Sequence, residues 1–78
     1  MKKWEAKYEE NVILVENYVN GERLYVNGDL QDEQMGIVER SRLWGQLPTG
    51  ETVKVSLGGR KLKVECRIFI DNKLILSE

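Results

Sequence analysis

The stretch Arg23-Leu24-Tyr25-Val26-Asn27-Gly28-Asp29-Leu30-Gln31-Asp32 constrains the fold more than any other. Asn-Gly is the dipeptide that best tolerates positive φ at both central positions of a type I′ turn, and β-prone residues lead into it, so the stretch is a β-hairpin. The chain closes in a similar way. Ile68-Phe69-Ile70-Asp71-Asn72-Lys73-Leu74-Ile75-Leu76 again sets a polar, αL-tolerant pair between two apolar runs. A protein built on hairpins follows.

The remaining segments fit that plan. Trp4, Ala6 and Tyr8 alternate with Glu5 and Lys7, which puts the apolar side chains on one face of a first strand. Glu9-Glu10-Asn11 turns it. Val12-Ile13-Leu14-Val15 is apolar on successive residues, the pattern of a central strand covered on both faces. Val19-Asn20-Gly21-Glu22 supplies another turn, so strands two, three and four form a meander. From Glu33 to Arg42 the alternation fails, and the segment reads as a crossover or short irregular strand. Leu43 to Leu47 then enters the turn Pro48-Thr49-Gly50 in a third hairpin. Val53, Val55 and Leu57 point one way until Gly58-Gly59-Arg60-Lys61 reverses the chain, after which Leu62, Val64, Cys66, Ile68 and Ile70 share a face.

At the closing hairpin, a three-residue loop with a bulge pairs Ile70 with Leu74 and keeps Leu74 and Leu76 in the core; a strict two-residue turn mixes the faces, so the loop is expected. One-sided antiparallel strands with no helix as a second layer must pack on another sheet or close on themselves. The expected fold is all-β: a small antiparallel β-sandwich or partly open barrel of seven to eight strands, with residues 1–78 as a single β domain.

Composition narrows the function classes. With 78 residues the chain has room for one core. Its longest apolar run, Val12 to Val15, is far short of the roughly 20 residues needed to cross a bilayer. Met1-Lys2-Lys3 leads directly into Trp4-Glu5 without an apolar h-region, so a cytoplasmic location and no membrane partner are expected. One cysteine and no histidine leave no internal disulfide, no credible transition-metal site and neither the commonest general base nor the usual partner of a nucleophile. Neither an enzyme nor a cofactor is expected. Charge is uneven: residues 1–39 carry four Lys/Arg against nine Asp/Glu, and residues 40–78 carry eight against four. The two halves attract each other.

Several features along the chain are similar to those of one known family. Trp4-Glu5 opens the domain, an apolar strand begins at Val12, Arg23 precedes Tyr25-Val26-Asn27-Gly28, and Ile68 to Ile75 form a closing hairpin. In these the sequence resembles a single repeat of the Fas apoptotic inhibitory molecule family, small all-β cytosolic proteins made of related β-sandwich domains. The family's members carry two repeats and this chain one. The resemblance implies a non-enzymatic interaction domain that associates with itself or with other proteins.

Candidate sites are few. Cys66 shares parity with Val64 and Ile68 and reads as a small buried hydrophobe rather than a reactive thiol. Asp29, Asp32 and Glu33 gather near one hairpin end but follow no cation-loop pattern and read as solvated turn acids. Gly58-Gly59-Arg60-Lys61 lacks phosphate-loop spacing and leads into a strand. The polar face of the two long strands is a stronger candidate, since Lys54, Lys63 and Arg67 share it with Phe69. Trp44 and Tyr25, offset in parity from their apolar neighbours, extend the same surface or enter the core. An aromatic on a basic sheet face serves either as a protein anchor or as a base-stacking platform. The overall charge and the interspersed Glu65 favour protein over nucleic acid. The first reading is a protein-interaction domain of unknown partner with Phe69, Trp44, Arg67 and Lys63 as contacts. The alternative is a nucleic-acid or small-ligand binding β-barrel using the same face. Uncovered strand edges add a weak homodimer to the expectations.

Overall fold

The structure is a computed structural model that describes residues 1–60 and 63–78 and, of Arg60, the backbone alone. Its strands are β1 (Lys2–Tyr8), β2 (Asn11–Tyr18), β3 (Gly21–Val26), β4 (Asp29–Met35), β5 (Arg40–Gln46), β6 (Thr52–Arg60), β7 (Lys63–Ile70) and β8 (Lys73–Ser77). They pair as two antiparallel meanders, β1-β2-β3-β4 and β5-β6-β7-β8. Alternation is what packs them. Ile13, Val15, Leu24 and Val26 project from the first sheet, and Leu43, Val53, Val55, Cys66, Ile68 and Ile70 from the second, into one buried core. Burying each aliphatic side chain of this kind is worth about 1.5–3 kcal/mol before entropy is counted. The fold is therefore an all-β sandwich. The charge imbalance follows the same division, because residues 1–39 contain the first sheet and residues 40–78 the second.

The structure corrects several local readings. β2 is an inner strand of its sheet, with Ile13 and Val15 fully buried, but Val12 and Leu14 are only half-buried because no layer covers the outer face. The β2–β3 turn has Val19 and Asn20 at its tip, and Gly21 is already paired within β3 opposite Tyr18 and Met35. Residues 33–42 are neither one irregular strand nor wholly a crossover: β4 runs to Met35, β5 starts at Arg40, and only the residues between them cross from sheet to sheet. Gly58 and Gly59 do not reverse the chain but lie inside β6 opposite Glu65 and Val64. The rest of that expected turn, Lys61, and the expected core residue Leu62 lie outside the described residues.

The closing hairpin also differs from expectation. Asp71 and Asn72, with φ of 46° and 68°, make a two-residue turn that pairs Ile70 with Lys73 and Phe69 with Leu74. The register then slips, so that Ile68 faces Leu76. A bulge does occur, but one step beyond the turn, and it restores the core face only after Leu74 has been left outside. Leu76 packs against the core, and Leu74 is 49% exposed.

The Asn27-Gly28 hairpin repeats this device. Asn27 and Gly28 take φ of 51° and 85°, Tyr25 pairs with Leu30, and the register slips before Leu24 meets Asp32. The likeness extends through both sheets. Cross-strand rows Trp4–Val15–Leu24–Asp32 and Glu5–Leu14–Tyr25–Leu30 of the first sheet correspond to Leu43–Val55–Ile68–Leu76 and Trp44–Lys54–Phe69–Leu74 of the second. Even the turn clamps match: the Val12 amide donates to Asn27 Oδ1 and the Asn27 amide to the Val12 carbonyl, as the Thr52 amide does to Asp71 Oδ1 and the Asp71 amide to the Thr52 carbonyl. The sandwich is two copies of one four-stranded unit.

Candidate functional site: the outer face of the second sheet

The row Trp44, Lys54, Phe69 and Leu74 crosses all four strands of the second sheet on its solvent side. Its parity follows from the core, because Leu43, Val53, Val55, Ile68 and Ile70 face inward and their neighbours must face out. The Lys54 ammonium lies 4.4 Å from the centre of the Phe69 ring and 6.0 Å from that of Trp44, within cation–π range of both. Phe69 is thereby half-buried, whereas Trp44 remains 51% exposed. Trp44 and Leu74 are the row's two open apolar positions.

Beside that row lie Arg42, Ser56, Arg67 and Ser77, and then Arg40, Gly58 and Glu65. The central strand contributes only Ser56 and Gly58 to these rows, and their small size opens a groove along β6 whose walls include Arg40, Arg67 and Lys63. The first sheet has no basic counterpart. Its equivalent rows carry Glu5, Leu14, Tyr25 and Leu30, then Lys3, Glu16, Arg23 and Glu33, with Lys3 paired to Glu16 at 3.8 Å and Arg23 to Glu33 at 3.4 Å.

Of the residues expected to form a contact surface, Phe69, Trp44 and Arg67 come together on this face, and Lys63 sits at the far end of its groove. Tyr25 does not join them and lies on the outer face of the opposite sheet. Arg40, Arg42 and Leu74 belong to the face but were not legible. The two arginines lie in the segment whose alternation fails, and Leu74 depends on the position of the bulge. A signal for the duplicated unit was present, in the correspondence of Arg23-Leu24-Tyr25-Val26-Asn27 with Arg67-Ile68-Phe69-Ile70-Asp71.

Two of the acids at the first hairpin, Asp32 and Glu33, have structural work, while Asp29 is exposed. Asp32 accepts from the amides of Trp44 and Glu33, Gln31 accepts from the Gln46 amide, and Glu33 pairs with Arg23. Side chains of β4 thus occupy the free edge of β5 and hold the sheets together on that side. Among the described residues, no group of three or more metal-ligating side chains gathers. Cys66 is fully buried, and desolvation, with the Glu78 charge adding to it, pushes its thiol up to about 12. It is no nucleophile at neutral pH.

Fold and site together define the class: an eight-stranded antiparallel sandwich of two equivalent meanders, with one basic, aromatic outer face. No family model matches the chain, and neither a curated protein nor a solved structure matches it. Among the described residues no helix is long and apolar enough to cross a membrane.

Proposed function

We propose that this domain is a non-enzymatic protein-interaction module of the cytoplasm and that the outer face of the second sheet is its contact surface. The observation that carries the reading is the row Trp44–Lys54–Phe69–Leu74, which presents two open apolar side chains around a cation and is flanked by arginines. Aromatic and arginine side chains dominate the energetics of protein interfaces. The resemblance to single repeats of the Fas apoptotic inhibitory molecule family points to the same class of role. The test is affinity capture from the source cell with the intact domain, with Trp44→Ser and Arg67→Glu on the face and Tyr25→Ser on the opposite sheet as control. Proteins retained by wild type and Tyr25→Ser but lost by both face variants are the expected result; capture that ignores the face variants would refute the reading.

The same domain is proposed to self-associate weakly. The β4–β5 side is sealed by Asp32 and Gln31, whereas β1 and β8 are sheet edges, and unpaired edges invite pairing with another chain. A sedimentation mass that stays monomeric at high concentration would rule this out.

A further inference from the structure

The two equivalent sheets differ at one row in a way that identifies the chemistry of a partner. In the first sheet Lys3, Glu16, Arg23 and Glu33 alternate cation with carboxylate, and each cation has an acid beside it. The same four positions of the second sheet hold Arg42, Ser56, Arg67 and Ser77. Both cations are kept and both carboxylates are replaced by serine. Among the described residues no carboxylate lies within 4.0 Å of either guanidinium.

The geometry points to an acidic, extended polypeptide segment lying along β6 over Ser56 and Gly58, whose carboxylates supply in trans what Glu16 and Glu33 supply in cis on the first sheet. This rests on the reading of the face as an interaction surface. Neighbouring strands are about 4.8 Å apart, so Arg42 and Arg67 flank Ser56 at roughly twice that spacing, and one segment seated over β6 reaches both. Guanidinium forks match carboxylates, and such pairs gain strength when an occupant excludes water from them. Beyond the groove the segment meets the next row, where Trp44, on the strand beside β6, receives an apolar side chain.

Two observations favour a polypeptide over single-stranded nucleic acid. Base stacking needs open aromatic planes, and Lys54 already lies over Phe69 and close to Trp44. Glu39 and Glu65 line the groove, where they repel a continuous run of phosphates but leave room for spaced carboxylates.

The test is selection of short random peptides displayed on phage against the intact chain, followed by anisotropy titration of the enriched peptides. Variants are Arg42→Glu with Arg67→Glu, which reverses the row, and Ser56→Glu with Ser77→Glu, which rebuilds the first sheet's row and occupies the arginines from within. The second pair keeps the fold falsifiably intact, since its thermal midpoint is expected not to fall. Peptides rich in Asp and Glu with an aromatic or leucine anchor are expected, and both variants should weaken them by roughly tenfold or more. Enriched peptides without excess acid that bind both variants unchanged would overturn the acidic segment, and their loss on Trp44→Ser would leave the interaction face standing. No enrichment, or indifference to Trp44→Ser as well, would remove both readings. An oligothymidylate of equal charge that binds more tightly than the selected peptides would overturn the polypeptide in favour of nucleic acid.

Discussion

Cys66 shows how completely a single side chain can be withdrawn from chemistry. It lies between Val64 and Ile68 on the inward face of β7, and burial raises its thiol to about 12. Thiol reagents should therefore react with the native protein far more slowly than with the unfolded chain. The shift also sets a pH dependence. Above its ordinary range near 9 the unfolded chain loses this proton while the folded chain holds it until about 12, so the unfolded state binds fewer protons and stability falls as pH rises through that window. Comparing denaturant midpoints of wild type and Cys66→Ala from neutral pH upward isolates the effect from Tyr and Lys titration; the wild type should lose more. Gly59 is constrained in another way. A Cβ there would clash with the Lys63 carbonyl oxygen and stand 2.8 Å from Val64 Cα, both backbone atoms that cannot swing aside. Gly59→Ala should cost several times what Gly28→Ala costs, because Gly28 needs only its positive φ, a penalty of about 1–2 kcal/mol, and has open space around it. Equal shifts in chemical denaturation would contradict the close approach.

Among the elements, the two I′ hairpins work as matched clamps. Asn27 and Asp71 each take positive φ, each accept a hydrogen bond from an inner-strand amide, and each return one to the same residue's carbonyl. Asn27→Ala and Asp71→Ala should each destabilise the fold by roughly 2 kcal/mol, about half from the hydrogen bond and half from backbone strain. Because the clamps sit in different sheets and share no partner, the double variant should be close to additive. A large coupling in the double-mutant cycle would mean that the two units do not hold their turns independently. The bulge beyond each clamp also decides which face the outgoing strand shows. The two-residue turn leaves Leu30 and Leu74 outside, and the bulge then reverses parity so that Leu76 faces the core and Asp32 reaches the β5 edge.

As a whole molecule, the sandwich joins an acidic meander to a basic one. Neither sheet can shield its apolar face alone, since the core is assembled from both. Chains 1–39 and 40–78, produced separately, should lack fixed tertiary structure and regain it on mixing, with Trp4 in one and Trp44 in the other reporting recovery by near-ultraviolet circular dichroism. With four cations against nine acids in the first and eight against four in the second, association should weaken with salt, though modestly, because exposed charge pairs are screened and hydrophobic burial drives docking. A half that folds alone as a monomer would refute this account.

Local patterning was enough to set the class of the fold, the Asn27-Gly28 and Pro48-Thr49-Gly50 turns, and the inward faces of β1, β3, β6 and β7. These are local matters: period-two patterning chooses which side chains can be buried, and positive φ is tolerated by few residue pairs. Three of the four contact residues proposed from parity, Trp44, Arg67 and Phe69, come together for the same reason. Long-range packing set the positions of the bulges, the pairing of β4 side chains with the β5 edge, and the division of β3 and β5 between two sheets, which puts Tyr25 and Trp44 on opposite faces of the molecule. A bulge reverses parity beyond it, and its position depends on which register buries the most apolar surface across both sheets, information that no window of the chain contains. The unbalanced arginine row becomes visible only at that level, because it is recognised by superposing one sheet's register on the other's.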